Sequence, residues 1–274
     1  MRCAEDTGTS VEAISGPSVR GGLVVNVNGV SPLSPSDSHT GSRPIRTARV
    51  ARIFDHASDT RSLFLEPVDS GTVRYLPGQF ISIAITLPDE TRTRPYTIAS
   101  PPEQGMPFEI CFNRVPGGRG ADWLFERQLE DSVEFTGPYG TFTMESVPAA
   151  ETIFLADATA VAPIRAMIQR AAASTAPPMM TLLYAARSPD HILYRAEFES
   201  LAARTRGFHF EPLILPQSEL YEGLRKEAER RWVRGDSDRT RQFYICGVGK
   251  GVIALRDLLR SAGYERRAVH YEQW

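Results

Sequence analysis

The sequence predicts a β plus α/β protein, with a six-stranded antiparallel barrel followed by a doubly wound parallel sheet. From Pro44 onward, short segments rich in β-branched and aromatic residues are separated by Gly, Pro or Asp, which is typical of a barrel or a sandwich. From Glu151 onward, short apolar segments alternate with longer amphipathic ones, which is typical of a parallel sheet covered by helices. The order of the two patterns places the barrel first.

The predicted elements follow from these patterns. The barrel strands are expected at residues 48–54, 62–68, 79–85, 94–100, 107–115 and 132–140, with one helix at about 121–129. The strands of the α/β domain are expected at 152–156, 180–186, 208–215 and 242–246, and its helices at 163–173, 195–204, 218–232 and 252–262. Pro163 suits the start of a helix, where its missing N–H costs little.

The first 43 residues differ from the rest. They are rich in Gly, Ser, Pro and Thr, and such a segment cannot bury enough apolar surface to offset its ordering entropy. We expect a disordered or mobile tail, with residues 24–27 as one isolated strand. The barrel is then expected to cover residues 44–148 and the α/β domain residues 149–274.

Composition narrows the class of protein. A net charge of −2 with 42% hydrophobic residues predicts a globular protein and gives no sign of general nucleic-acid binding. No segment approaches the roughly 20 apolar residues of a membrane span, and no secretory signal is evident, so we expect a cytoplasmic location. The three cysteines are too few for an iron–sulfur cluster, and the five histidines are scattered, so no metal site is expected.

One segment resembles a known flavin motif. Residues 94–100 read Arg-Pro-Tyr-Thr-Ile-Ala-Ser, which is similar to the R-x-Y-[ST]-x-x-S motif of the ferredoxin–NADP reductase superfamily. The companions Pro-Gly-Gln-Phe at 77–80 and Gly-Pro-Tyr-Gly at 137–140 stand where that family has them. The resemblance covers about residues 45–274 and looks closest to bacterial members that end in Tyr-Glu-x-Trp. It implies a Greek-key FAD-binding barrel followed by an NAD(P)-binding domain.

The residue types of the motif suit a flavin. The guanidinium of Arg94 is a planar fork of donors that matches a phosphate, and the ring of Tyr96 can lie on the isoalloxazine. The resemblance implies that Thr97 lies near flavin N5, the hydride-accepting atom, and that Ser100 completes the cofactor site. The alternative is an ordinary strand whose Arg and Tyr side chains point to solvent.

A glycine-rich turn at residues 116–120 precedes the helix of the barrel. Glycines allow backbone N–H groups to approach an anion at a helix N-terminus, and the resemblance implies that this turn holds the FAD pyrophosphate. Relatives usually have Ser or Thr in place of Ala121, so backbone donors and an arginine must replace that hydroxyl. The expected cofactor contacts are Val115, Gly118, Arg119, Gly120 and Ala121. The alternative is a simple hairpin loop.

The loop after the first α/β strand departs from the family. Relatives read Gly-Gly-Thr-Gly-Ile-Ala-Pro, whereas residues 157–163 read Asp-Ala-Thr-Ala-Val-Ala-Pro. Thr159 and Pro163 are still expected to contact the nucleotide. An unpaired Asp157 carboxylate would be repelled by a pyrophosphate by about a few kcal/mol. Either it points away, it caps the following helix, or the nucleotide site is weakened.

Other nucleotide features resemble the family more closely. Residues 246–251 are similar to the C-G-x-x-x-M turn, which implies that Cys246 lies near the nicotinamide C4; the alternative is a buried, inert thiol. Arg187 follows the second strand, where relatives bind the adenosine ribose, and the choice between NADH and NADPH stays open. Residues 215–232 match no part of the family pattern.

The last residues read His-Tyr-Glu-Gln-Trp. The resemblance implies that Trp274 covers the second flavin face and that Glu272 positions the reacting pair or relays a proton. The alternative is an edge strand with a surface tryptophan. The expected catalytic residues are therefore Thr97, Cys246, Glu272 and Trp274.

The resemblance implies an FAD-dependent oxidoreductase that moves electrons between NAD(P)H and a separate acceptor chain, by hydride transfer to flavin N5. The expected acceptor is an iron–sulfur protein or an oxygenase component. Two alternatives stay open. One is an electron-transfer subunit with a degenerate nucleotide site and no NAD(P)H activity of its own. The other is a free flavin or quinone reductase.

Overall fold

The structure, a computed structural model, describes residues 43–69, 71–102 and 105–274. The predicted tail, apart from Arg43, and the predicted strand at 24–27 lie outside the described residues. Within the described part of the chain, no helix is long and apolar enough to cross a lipid bilayer.

The first six strands form the predicted antiparallel barrel. They are β1 (Arg46–Ala57), β2 (Thr60–Pro67), β3 (Phe80–Thr86), β4 (Thr91–Thr97), β5 (Phe108–Asn113) and β6 (Ser132–Tyr139). Their order is β4-β3-β6-β1-β2-β5, and a bridge between Ile98 and Ile110 joins the two ends of the sheet. β2 pairs with β5 and β6 returns between β3 and β1, which are the long connections of a Greek key. The predicted barrel is confirmed.

Alternation explains why these segments are strands. In β3, every second side chain is buried, beginning with Ile81 and continuing through Ile83 and Ile85. A period of two places these side chains on one face of a strand, and here that face is the barrel interior. The core of the barrel is thus built from the apolar residues that predicted it.

The helix of the barrel differs from its predicted bounds. Helix α1 (Arg119–Phe125) begins and ends earlier than the predicted 121–129. The residues that follow it form a turn, in which the Gln128 N–H donates to the Asp131 carboxylate at 2.9 Å. This local bond competes with continuation of the helix.

The second half is the predicted parallel α/β domain. Its strands are β7 (Thr152–Asp157), β8 (Met180–Ala186), β9 (Phe208–Ile214), β10 (Gln242–Gly247) and β11 (Val269–Gln273). Its helices are α2 (Val161–Ala172), α3 (Arg195–Arg204), α4 (Leu220–Trp232) and α5 (Lys250–Ser261). β7 and β8 are buried along their whole length, as expected for strands covered by helices on both faces. Helix α2 starts two residues before Pro163 because a 3₁₀ turn, Ala158–Ala160, leads into it.

The strand order has one reversal. The sheet runs β11-β10-β7-β8-β9, with every pair parallel. The chain therefore proceeds from β7 to one side and then returns to add β10 and β11 on the other. The crevice beyond the carboxyl ends of β7 and β10 is the topological switch point, where open α/β sheets bind ligands.

A buried ion pair links the barrel to the α/β domain. Arg165 of α2 donates to Glu109 of β5 at 2.8 Å and to the carbonyl of Ala99 at 3.0 Å. The other oxygen of Glu109 accepts the hydroxyls of Ser62 at 2.6 Å and Tyr194 at 2.7 Å. Both partners of the ion pair are almost fully buried, so this network fixes how the two domains meet.

Candidate functional site

Arg94 and Tyr96 lie beside the glycine-rich turn. A Cβ atom added to Gly120 would lie 3.5 Å from Arg94 Cγ and 3.6 Å from the Tyr96 hydroxyl. The Tyr96 ring packs edge-on against Phe112, with centroids 5.7 Å apart. Burial raises the pKa of Tyr96 to about 12, so its hydroxyl stays protonated at neutral pH. The flavin motif and the glycine-rich turn, distant in sequence, thus form one surface.

The two arginines of this surface differ in their partners. Arg94 is exposed, and within the described residues its guanidinium donates to the neighbouring carbonyl of Thr93 at 3.0 Å. Arg119 instead pairs with the carboxylates of Asp89 and Glu90. Arg94 can therefore meet a phosphate with its charge unneutralised, whereas Arg119 would first have to leave Asp89. The predicted phosphate contact of Arg119 stays a prediction.

The glycine-rich turn requires its glycines. A Cβ atom on Gly118 would lie 2.7 Å from Val115 Cγ2 and 2.9 Å from the Val115 carbonyl oxygen, and Gly117 has a φ of +75°. Gly120 leaves the space between Arg94 and Tyr96 clear. The surface thus combines an exposed guanidinium, an aromatic face and a turn that contains three glycines. These residues fit the diphosphate and the flat ring of FAD.

Ser100 and Pro163 are buried. The Ser100 hydroxyl accepts the Glu109 N–H at 3.0 Å and hydrogen-bonds the Tyr75 hydroxyl at 3.1 Å. These bonds fasten the end of the motif to the barrel wall. Pro163 packs within the first turn of α2. Their predicted contacts with cofactor and nucleotide stay predictions.

The predicted catalytic residues come together where the barrel meets the parallel sheet. Thr97 pairs with Phe80 across β4 and β3, and the Phe80 ring lies edge-on to Trp274 with centroids 6.0 Å apart. The Trp274 side chain packs against the core cluster that contains Cys246, and Cys246 lies opposite Glu272 across β10 and β11. One continuous line of residues therefore runs from the flavin motif to the end of β10.

The last residue is held on both sides. The Trp274 N–H donates to the Gly247 carbonyl at 2.9 Å, and the Gly249 N–H donates to the Trp274 carbonyl at 3.3 Å. The indole is partly buried against the core cluster that contains Cys246. β11 is thus an edge strand, as one alternative expected, but its tryptophan packs between the domains.

Burial changes the acid–base character of two of these groups. It raises the pKa of the Cys246 thiol well above its usual value, and the nearby Glu272 carboxyl adds to this effect. It also raises the pKa of Glu272 to about 8, and Glu272 Oε2 has no hydrogen-bond partner among the described residues. At neutral pH the thiol is uncharged and the carboxyl holds a proton that it can donate.

Asp157 ends β7 and faces α4. Its carboxylate accepts a hydrogen bond from the Tyr221 hydroxyl, and burial raises its pKa to about 6. Within the described residues its side chain makes no capping bond to the 3₁₀ turn that follows, so of the three alternatives for Asp157 the helix cap is wrong. The carboxylate is buried and paired with a tyrosine.

Tyr221 is the residue that sequence reasoning missed. Its hydroxyl also accepts the N–H of Val248. A Cβ atom on Gly247 would lie 1.9 Å from the Tyr221 hydroxyl, and one on Gly251 would lie 2.3 Å from its Cγ. The available signal was the pair of glycines at the end of β10 and in the first turn of α5, because their missing side chains leave room for this aromatic ring.

The remaining nucleotide residues reach toward the barrel. Arg187 pairs with Asp59, in the turn between β1 and β2, and contacts His191. The Thr159 hydroxyl donates to the Asn113 side chain at 3.1 Å. The predicted contacts of Arg187 and Thr159 with a nucleotide stay predictions, since both side chains hydrogen-bond residues of the barrel in this structure.

Ala158 has a φ of +44°, at a position where the resembling family has glycine. An L-residue pays about 1–2 kcal/mol in this left-handed region, whereas glycine does not. Ala158→Gly is therefore expected to raise the free energy of unfolding by up to about 1 kcal/mol, after the entropy of the unfolded chain is subtracted. Urea denaturation measures this. Ala160→Gly, at a φ of −66°, is the matched control and is expected to destabilise.

The barrel site and the nucleotide crevice together define a two-domain flavin and nicotinamide nucleotide oxidoreductase. Residues 48–144 match the oxidoreductase FAD-binding domain family, and residues 154–254 match the oxidoreductase NAD-binding domain family. The chain belongs to the ferredoxin–NADP reductase superfamily and is an NAD(P)H-dependent flavin oxidoreductase.

Individual proteins agree with this assignment. Ferredoxin–NADP reductase B of Sorangium cellulosum is 28% identical over 235 residues, which cover 83% of this chain and 96% of that protein. A glycine betaine monooxygenase reductase subunit of Pseudomonas aeruginosa is 26% identical over 88% of this chain and 67% of its own length. The crystal structure of the Amycolatopsis cytochrome P450 reductase GcoB has the same fold, with a TM-score of 0.73 at 23% identity over 88% of this chain and 73% of that one.

Proposed function

We propose that this chain is a reductase component that takes electrons from NAD(P)H through FAD and delivers them to a separate protein. The observation that carries the proposal is the line of packed residues from Thr97 through Phe80 and Trp274 to Cys246, which joins the flavin motif to the nucleotide domain. Relatives named as a monooxygenase reductase subunit and a dioxygenase electron transfer component support an oxygenase component or an iron–sulfur protein as the acceptor.

Each residue has a role in this proposal. Arg94 binds the diphosphate of FAD, and Tyr96 packs against the ring system. FAD, when bound, supplies the redox chemistry by accepting a hydride from the nicotinamide and passing electrons on. Trp274 excludes water from the region between the domains, and Glu272 holds a proton beside Cys246. The protein therefore orients the reacting groups, excludes water from them and supplies a proton donor.

We further propose the division into a barrel at residues 44–148 and a nucleotide domain at 149–274, together with a cytoplasmic location. The boundary falls between β6 and β7, where the antiparallel sheet ends and the parallel sheet begins. The described cysteines, Cys111 and Cys246, are both free and buried, which supports a reducing compartment.

One observation favours the alternative of a subunit without NAD(P)H activity of its own. Tyr221 and Asp157 lie at the switch point where a nucleotide is expected. In the observed conformation the tyrosine side chain lies against Gly247, which ends β10, and Gly251, in the first turn of α5, so it occupies space that a nucleotide in this crevice would need. NAD(P)H activity therefore requires this side chain to move.

An anaerobic titration separates the two functions. The protein is purified with FAD, its yellow spectrum is recorded, and NADH and NADPH are added in turn. Rapid bleaching by either nucleotide supports the reductase. A yellow protein that dithionite bleaches and neither nucleotide bleaches supports the subunit without NAD(P)H activity. A colourless protein that binds no added FAD contradicts both.

Arg94→Ala is expected to weaken FAD binding by about 10- to 100-fold, because a hydrogen bond to a charged group contributes about 1.5–3 kcal/mol. Fluorescence titration of the apoprotein with FAD measures the dissociation constant. Arg92→Ala is the matched control on the same strand, since the Arg92 guanidinium already pairs with Glu90. If Arg94→Ala retains FAD as tightly as the control, this arginine is not the phosphate ligand.

A further inference from the structure

Tyr221 lies in the crevice that the strand order marks for a ligand. Asp157 and Gly247 end the two strands of the switch point, β7 and β10. The Tyr221 side chain enters this crevice from the first turn of α4. A dinucleotide bound in the usual way for an open α/β sheet would need the same space.

Tyr221 contacts one group that would attract a diphosphate and one that would repel it. Its hydroxyl accepts the backbone N–H of Val248, a donor that faces the crevice and suits an anion. The same hydroxyl donates to the Asp157 carboxylate, an acceptor that repels an anion. The tyrosine thus occupies the favourable group of the crevice and hydrogen-bonds the unfavourable one.

The Tyr221 ring fills the part of the crevice beside α5. A Cβ atom on Gly251 would lie 2.3 Å from Tyr221 Cγ and 2.5 Å from its Cβ. The ring therefore packs on the first turn of α5, which a nucleotide would have to approach closely. Glycine at 247 and at 251 accommodates the tyrosine here, although the same residues elsewhere serve the close approach of a ligand backbone.

Tyr221 can leave without unfolding its helix. It is half-buried, whereas the neighbouring Leu220 is 1% exposed and anchors the start of α4 in the core. The 3₁₀ turn before α4, Gln217–Glu219, has no buried residue. A rotation of the Tyr221 side chain thus leaves Leu220, which anchors the start of α4, in place.

We propose that Tyr221 gates the nucleotide site: its side chain and the diphosphate of a nicotinamide dinucleotide compete for the crevice between β7 and β10. This rests on the proposed reductase function. The closed state, held by the Asp157 and Val248 bonds, lowers the apparent affinity by the fraction of molecules that are open. Removing those bonds raises the affinity without adding any contact to the ligand.

Calorimetric titration with ADP-ribose, which carries the diphosphate without the nicotinamide, tests the gate. Tyr221→Phe keeps the ring packing and removes both hydrogen bonds, and it is expected to bind about 5-fold more tightly than the wild type. Tyr221→Ala clears the crevice and is expected to bind at least about 10-fold more tightly. Tyr264→Phe is the matched control, because the hydroxyl of Tyr264, a buried residue, bonds the carbonyls of Trp232 and Asp238 instead.

Each outcome of the ADP-ribose titration supports or contradicts the proposed gate. Tighter binding by both variants, with the control equal to the wild type, supports it. Equal binding, weaker binding or no binding by the variants overturns it, because removing a competitor of the ligand must raise the affinity. Tyr221→Phe retains the packing of the ring, so the test does not depend on Tyr221→Ala folding.

Flavin bleaching by NADH or NADPH distinguishes failure of the gate from failure of the reductase function. If the variants bind ADP-ribose more tightly but neither nucleotide bleaches their flavin, the gate stands and the reductase function fails. If flavin is bleached with the same half-saturating nucleotide concentration in wild type and variants, the reductase stands and the gate fails. A lower half-saturating concentration with an unchanged maximal rate supports both.

Discussion

Replacing Arg165 with alanine is expected to lower the free energy of unfolding by about 3–5 kcal/mol. Glu109 is 2% exposed, and without Arg165 its carboxylate would remain buried with no cation beside it. Arg165 also donates to Glu197, on α3, at 2.9 Å, so its removal loosens α2 from two neighbours. The size of the effect comes from the uncompensated charge more than from the lost bonds.

Urea denaturation of the FAD-loaded protein measures this loss. Arg195→Ala is the matched control, because Arg195 and its partner Glu199 are both about half exposed on α3, and such pairs contribute at most about 1 kcal/mol. A loss of similar size in the two variants would show that water reaches Glu109, and it would contradict the buried network. The Arg165 variant is also expected to lower flavin retention, since the network holds the barrel against the parallel sheet.

The pH dependence of stability is expected to change in Glu272→Gln. Burial raises the pKa of Glu272 from 4.5 to about 8, so the folded protein binds this proton more tightly than the unfolded chain does. The stabilisation from proton binding is complete at low pH and is lost as the pH rises toward 8. At about 1.4 kcal/mol per pKa unit, the wild type should lose a few kcal/mol across this window that the Gln variant keeps.

Chemical denaturation at about pH 5 and about pH 9 tests whether the free energy of unfolding falls as the pH rises. Near pH 9, Glu272→Gln is expected to be more stable than the wild type by roughly 2–4 kcal/mol, and near pH 5 the two should agree within about 1 kcal/mol. Gln273→Glu is the control, because it adds a carboxyl at the exposed neighbouring position. A constant difference between wild type and Glu272→Gln at both pH values would mean that the Glu272 carboxyl is solvated.

Local pattern predicted most of the fold. The bounds of β8 and α3 agree with the predicted 180–186 and 195–204, because each is a continuous pattern with clear breakers at its ends. Helix α1 was predicted two residues late, since glycine has a low helix propensity and Gly120 nevertheless lies inside the helix. Its end could not be read from apolar spacing, because the Gln128 N–H beyond it donates to the Asp131 carboxylate, a local bond that competes with continuation of the helix.

The candidate site was predictable where a motif is contiguous and unpredictable where it is assembled by packing. Arg94, Tyr96 and Thr97 belong to one short segment, so a resemblance identified them together. Tyr221 meets Asp157 across 64 residues of sequence, in a helix whose charged composition matched no known pattern. Such pairings follow from the tertiary packing of α4 against the sheet, which neither periodicity nor propensity encodes.

The bonds from Thr159 to Asn113 and from Arg187 to Asp59 have a consequence for electron transfer. They tether the loops after β7 and β8 to the barrel before any ligand arrives. Folding would then set the separation between a flavin and a nicotinamide. The entropic cost of ordering these loops would be incurred during folding and not during binding. Cutting both tethers should broaden the distribution of donor–acceptor distances, so that single-turnover reduction becomes multiphasic while the equilibrium affinities change little.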